Sequence, residues 1–178
     1  MTRTSGTLGY EVRFEEGGDL PIFIDHLQAH TIESGIYLVL ATNLPQLNPG
    51  KADPTSSAHA TLYLPLGAIE ALHRLSEDYR RHIGGGETTF TGEQITLRFD
   101  RPRSDVPVLA DFFNCSEATS GIHLSVGRLS TTTPNVAVVF ATYLLTRATM
   151  LKLHWLTSRI VELVRRPPGY VAESSSSH

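Results

Sequence analysis

Three blocks of this sequence occur twice. Val12-Arg13-Phe14 returns as Leu97-Arg98-Phe99, and Ser34-Gly35-Ile36-Tyr37-Leu38 returns as Ser120-Gly121-Ile122-His123-Leu124. Between them, Asp19-Leu20-Pro21-Ile22-Phe23-Ile24-Asp25 returns as Asp105-Val106-Pro107-Val108-Leu109-Ala110-Asp111. The offset is 85 residues for the first block and 86 for the other two, so one insertion aligns them. Nine aligned positions are identical, where roughly two are expected by chance over about 30 positions of ordinary composition. Self-similarity at a fixed spacing points to a tandem duplication. A half of this length buries too little surface to stand alone, so two copies must cover each other.

Each copy continues alike. Alternating apolar and polar residues read as strands over Tyr10–Glu15 and Gln94–Asp100. Pro21–His30 and Pro107–Cys115 are open between helix and strand. Asp-x-Pro can start a helix, but the β-branched and aromatic content favours a strand. Strands follow at Gly35–Thr42 and Gly121–Gly127, then at Ala60–Leu64 and Val136–Thr142. Each copy ends in a helix, from about Leu66 to His82 and from about Leu144 to Arg166. The expected fold is α+β: a tandem duplication of a β-β-β-β-α unit, with antiparallel sheets each covered by one helix in a pseudo-twofold arrangement. The first copy spans 8–83 and the second 93–167. A Gly-rich linker and turn (84–92, with Gly84-Gly85-Gly86 as the hinge) separates them, and a Ser-rich disordered tail (168–178) follows Pro167-Pro168-Gly169.

The two helices differ in pattern. In the first, Ala68, Ile69, Leu72, Leu75 and Tyr79 share one face and Glu70, Arg74, Glu77, Asp78 and Arg81 the other, as on a surface helix packed on a sheet. The second is apolar almost all round. Leu144, Ala148, Leu151 and Trp155 form one stripe; Leu145, Leu156, Ile160 and Leu163 form another, extended by Leu153 and Val164. Arg147, His154, Ser158 and Arg165 leave a narrow polar strip. Such a helix needs cover on two sides. Its own sheet is one. The other is the first copy or a second molecule, so a homodimer or higher oligomer through Leu144, Ala148, Leu151, Leu153, Trp155 and Val164 is expected.

Fifteen basic and eighteen acidic residues give a net charge of −3, which argues against a dominant nucleic-acid or anionic-membrane partner. No run of 18 apolar residues occurs, so no membrane span is expected. The polar N-terminus has no apolar run behind Arg3, and Cys115 is the only cysteine; both suggest a cytoplasmic protein without disulfides or a multi-cysteine zinc site. Asp25-His26-x-x-x-His30 places a carboxylate near two imidazoles. On a helix the histidines could share a metal, but on a strand they stand about 13 Å apart, and the second copy has Phe112 and Ser116 there. No metal or cofactor is expected. Asp25 and Asp111 recur, as do Asp19 and Asp105, which suggests turns or caps on main-chain N–H groups. Arg13 and Arg98 recur and could pair with these aspartates. Cys115 aligns with Ala29 and reads as a small buried hydrophobe.

No nucleophile elbow, zinc-protease motif, phosphate loop or dinucleotide fingerprint occurs, and no catalytic residue is assigned. The leading expectation is a non-enzymatic protein–protein interaction module: an adaptor, scaffold subunit or inhibitor with a protein partner. The β-β-β-β-α order is similar to that of the export chaperone SecB, in topology alone and without a shared motif, which makes a polypeptide-binding chaperone one alternative. A small-ligand protein or enzyme using the cleft between copies is the other, with Arg13, Asp25 and His26 as contacts. The Asn43–Ser57 loop, unique to the first copy, is a candidate partner-binding element.

Overall fold

The computed structural model describes residues 2–3, 9–44, 55–83, 96–99, 101 and 103–165. The Gly84–Gly86 hinge, the 84–92 linker, most of the Asn43–Ser57 loop and the 168–178 tail lie outside the described residues. In chain order the elements are β1 (Thr2–Arg3), β2 (Glu11–Phe14), β3 (Pro21–Ile24), β4 (His26–Ile32), β5 (Gly35–Asn43), β6 (Thr55–Pro65) and α1 (Leu66–His82). They continue with β7 (Thr96–Arg98), β8 (Pro107–Leu109), β9 (Phe112–Ala118), β10 (Gly121–Leu129), β11 (Val136–Leu145) and α2 (Arg147–Arg165). The chain is α+β, with two mixed sheets and two helices.

The segments left open between helix and strand are strands, each broken near an aspartate. Asp25 Oδ1 accepts the N–H of Asn43 at 2.7 Å, and Asp111 Oδ1 accepts the N–H of Leu129 at 2.7 Å. These aspartates mark corners. β3 belongs to one sheet and β4 to the other, with Asp25 alone between them. A single residue is too short for a hairpin loop, so the chain runs on in the same sense and changes sheet. β8 and β9 repeat this in the opposite direction, with Ala110 N still bonded to Tyr63 O at 2.9 Å and Asp111 at the corner.

These corners overturn the expected antiparallel sheets built within each half. One sheet runs β1-β2-β11-β10-β9, with β3 also on β11; the other runs β4-β5-β6-β7, with β8 also on β6. β4-β5-β6 and β9-β10-β11 are antiparallel meanders. The opening strands of each half, however, join the other half's sheet in parallel. β2 and β3 lie along β11, and β7 and β8 lie along β6. The registers correspond: Arg13 faces Val138 as Arg98 faces Ser57, and Pro21 faces Thr142 as Pro107 faces Thr61. The receiving strands tie down the incoming turns alike. Thr142 Oγ1 donates to Gly18 O, and Thr61 Oγ1 donates to Ser104 O, both at 2.7 Å.

Other local features recur too. A register shift falls between Leu40 and Ala41 in one meander and between Val126 and Gly127 in the other, where a bulge bends the strand. A Cβ on Gly35 would lie 2.1 Å from Leu64 O and one on Gly121 2.6 Å from Leu145 O, so the tight β4–β5 and β9–β10 turns admit only glycine there.

One large core joins the halves, and a smaller cluster of Val12, Phe112, Ala137 and Val139 stands beside it. Ile24, Leu27, Ile36, Leu38, Leu40, Leu62 and Leu64 meet Phe113, Ile122, Leu124, Val126, Tyr143 and Leu145, and both helices add Ile69, Leu72, Met150, Leu153 and Ile160. The expectation of one helix per sheet also changes: α1 touches β5, β6 and β9, and α2 touches β4, β10 and β11. The end strands β4 and β9 each touch the helix of the opposite half. α2 begins two to three residues later than its apolar pattern suggests. Leu144 and Leu145 remain in β11, and Thr146 caps the helix by accepting the Thr149 N–H at 3.1 Å.

The buried threonines anchor the exchanged strands. Thr61→Val or Thr142→Val leaves a carbonyl without its donor and should cost about 1–3 kcal/mol. The pair should be additive because the sites share no partner. Urea denaturation of the two single variants and the double variant checks this.

Candidate interaction surface on the helix pair

α1 and α2 pack against each other through polar side chains. The His73 and His154 rings stack with centroids 5.3 Å apart and planes 17° apart. Ser76 Oγ lies 3.4 Å from Thr157 Oγ1. Around them the contacts are reciprocal: His73 Nδ1 is 3.4 Å from Thr157 Oγ1, and His154 Nδ1 is 3.4 Å from Ser76 Oγ. His73 and Ser76 thus occupy in α1 the places of His154 and Thr157 in α2, 81 residues on. The two hydroxyls also donate to their own helix, Ser76 to His73 O and Thr157 to Leu153 O and His154 O.

Glu77 closes one end of this seam. Arg80 reaches it with Nε and Nη2 at 2.9 and 2.8 Å, and Arg81 Nε does so at 2.8 Å. Oε2, which accepts from Arg80 Nε, is also 3.2 Å from His154 Nε2. The Arg80 hydrogen bonds, joined by those from Arg81, hold the Glu77 carboxyl down at about 2 against the opposing effect of burial. Burial lowers both imidazole pKa values, and the Glu77 charge pulls each partly back. The polar strip therefore faces α1: His154 and Ser158 join the seam, Arg165 reaches Glu70 at 3.6 Å, and Arg147 donates to Ile83 O at the end of α1. Periodicity identified the strip; it could not show that α1 would bring His73, Ser76 and Glu77 to meet it.

The predicted interface residues separate into two groups. Leu153 is completely buried in the chain's own core. Leu144 is half-buried on β11 beside Phe23 of β3. Ala148 is exposed, Leu151 and Trp155 are half-buried, and Val164 is 46 % exposed beside Leu163 at 58 %. Arg159 Cζ lies 6.0 Å from the Trp155 ring, within cation–π range. The 81-residue correspondence supplies an internal control. Where α2 carries Leu151 and Trp155, α1 carries Glu70 and Arg74. The same place in the fold is charged on one helix and apolar on the other.

The three proposed ligand contacts do not converge. Arg13 is paired with Glu11 on its own strand, Nε to Oε1 at 2.9 Å, rather than with an aspartate. Arg13 faces Val138 while Ile24, next to Asp25, faces Leu145; seven residues along β11 is roughly 23 Å at about 3.3 Å per residue. Asp25 serves its corner, and His26 is buried on β4 opposite Ala41. His30 is exposed and bonds Gln28 Nε2 at 3.0 Å.

Sequence reasoning missed His59. Thr42 Oγ1 donates to Phe23 O at 2.7 Å, so His59 Nε2, also 2.7 Å away, must donate to Thr42. This fixes the tautomer. Burial lowers the His59 pKa, helped by Arg101 and opposed by Asp25. No pattern in the sequence joined Thr42 to His59, because they meet only across the β5–β6 ladder. Among the described residues, no three His, Cys, Asp or Glu side chains gather closely enough to hold a metal ion. Burial pushes the Cys115 thiol up to about 12, which disfavours the thiolate that nucleophilic chemistry needs. Among the described residues no helix is long and apolar enough to cross a membrane.

Glu77 makes a pH-dependent contribution. Its folded pKa lies below its unfolded value, so its stabilisation is fully present above about 4.5 and disappears as pH falls through about 2. Glu77→Gln should lower the thermal midpoint at pH 7, and the difference from the native chain should close on acidification; calorimetry across this range checks both. No family model, curated protein or solved structure matches the chain.

Proposed function

We propose that this chain is a non-enzymatic protein–protein interaction module. In this reading it is a tandem duplication of a β-β-β-β-α unit whose halves exchange their opening strands about a pseudo-twofold axis, and it assembles with a second copy through the outer face of α2. The duplication is supported by recurring corner aspartates, anchoring threonines, bulges and registers, and by the reciprocal histidine and hydroxyl contacts at the helix seam. Contacts in which residue i meets j while j′ meets i′ are the signature of an isologous interface.

One observation carries the assembly: Leu151 and Trp155 stand where α1 has Glu70 and Arg74. Both side chains are half-buried, with the Trp155 Nε1 covered within the chain itself, and it is the apolar surface they leave exposed, absent from α1, that supports a second partner. Nineteen residues of α2 extend roughly 28 Å at 1.5 Å per residue, long enough for one side of a standard homodimer interface. Trp155, Leu151 and Ala148 supply its apolar centre, and Arg159 and Glu162 supply a charged rim, as protein interfaces require.

A second reading, a polypeptide-binding chaperone, has its own support. Leu20 and Phe23 are 66 % and 43 % exposed, and their counterparts Val106 and Leu109 are 50 % and 42 % exposed. Apolar groups are thus presented twice, on and beside the short strands β3 and β8, where an extended peptide could lie.

The double variant Leu151→Glu/Trp155→Arg gives α2 the residues that α1 already carries there, so the fold should survive. Size-exclusion chromatography with light scattering should show a dimer or larger species for the native chain and a folded monomer for the variant. A monodisperse native monomer at micromolar concentration would sink the assembly. Suppression of the aggregation of a denatured client, retained by the variant and lost in Phe23→Asp/Leu109→Asp, would favour the chaperone.

A further inference from the structure

We propose that the stacked His73–His154 pair is a pH-sensitive clasp between α1 and α2, which accommodates one proton and parts the helices when it takes a second. This rests on the seam geometry and is independent of what the outer face of α2 binds.

The first proton has a prepared place. His154 Nε2 points to Glu77 Oε2 at 3.2 Å and its Nδ1 to Ser76 Oγ at 3.4 Å. Ser76 already spends its hydrogen on His73 O, so its oxygen is left to accept. An imidazolium at His154 can therefore donate from both nitrogens, one of them to a carboxylate. His73 has no such arrangement. Its Nδ1 faces Thr157 Oγ1 and, at 3.5 Å, Ser158 Oγ, and its ring lies face to face with the ring already charged. Two cations stacked at 5.3 Å in a half-buried seam repel strongly, because the surroundings screen them less than water does.

Neighbouring charges act on both rings: Glu77 favours protonation of each, Arg165 opposes it at His73, and Arg80 and a charged His73 oppose it at His154. On α1, Glu77 is shared with Arg80 and Arg81, which limits how much of its charge is left to offset a second proton. On α2, Arg165 adds positive charge near His73, and it also reaches Glu70 at 3.6 Å. Farther along the seam, Glu117 and Cys115 of β9 and Arg147 of α2 face Tyr79. β4 contributes the apolar Leu27 and Ala29 to the core the helices cover. Both imidazoles bind protons less readily in the folded chain than in the unfolded one. The stabilisation they provide is therefore complete above the ordinary imidazole value of about 6.5 and is lost as pH falls below it. Parting the helices uncovers Leu72 and Leu153, which are fully buried beneath the seam.

The test is proton NMR of the histidine rings in the full chain from about pH 8 to about pH 4.5, assigned with His73→Gln and His154→Gln. His154 and His73 should titrate in two separate steps, and His73 should titrate at higher pH once His154 is Gln. Amide exchange in α1 and α2, corrected for its intrinsic pH dependence, should accelerate at least tenfold relative to β5 and β10 below the second step. The His73→Gln variant should lose that acceleration. Independent titration of both rings at the ordinary imidazole midpoint overturns the proposal. So does helix exchange that stays in step with the sheets through both titrations.

Discussion

The parallel pairing of β2 and β3 with β11, and of β7 and β8 with β6, is the constraint on which the rest of the molecule depends. Each three-stranded meander is completed by strands supplied from the other half, so neither sheet is whole without both. The hydroxyls of Thr61 and Thr142 fasten the incoming turns to the receiving strands. Because each half contributes to both sheets, residues of both halves meet in the main core and again in the smaller cluster around Val12 and Phe112. Each helix then touches the end strand of the opposite half. Strands more than a hundred residues apart in sequence must meet before β11 is complete, a topology that closes long loops before it gains contacts.

The helix seam follows from that exchange. Once the two sheets are tied at Asp25 and Asp111, α1 and α2 come together with like residues opposed. Histidine stacks on histidine and a serine hydroxyl faces a threonine hydroxyl. Small hydroxyl side chains permit close approach and turn their own hydrogens back to the helix carbonyls. The seam is therefore polar yet satisfied, and its charge balance is concentrated on Glu77. The outer surfaces of the helices answer to a different requirement, and there the two halves diverge: Glu70 and Arg74 on one, Leu151 and Trp155 on the other.

Much of the local structure was legible in the residues. The helix over Leu66–His82 follows from its amphipathic period and its basic last turn. The strand reading of Pro21–His30 follows from its β-branched and aromatic content; of the repeated aspartates, Asp25 and Asp111 cap main-chain N–H groups, and Asp19 and Asp105 lie in turns. The start of α2 was misplaced because Leu144 and Leu145 continue the apolar pattern into it, although Thr146-x-x-Thr149 carried a capping signal. Arg13 was matched to an aspartate when a glutamate two residues away on the same face of the strand was nearer. Leu153, read as extending the second apolar stripe and counted among the interface residues, lies in the core, a choice that periodicity alone cannot make for a helix apolar on two sides.

The residues by themselves determined the elements, the repetition and the contrast between the helices, because helical period, strand alternation and turn chemistry act over a few positions. Only the tertiary structure decided which strands pair, that the sheets are mixed, and that His73 meets His154 while Arg13 stays far from Asp25. Those outcomes turn on a single residue, Asp25, being too short a link to reverse the chain, and on its counterpart at Asp111. A local pattern can mark such a corner, but where the chain goes next depends on which distant strand has an open edge to receive it.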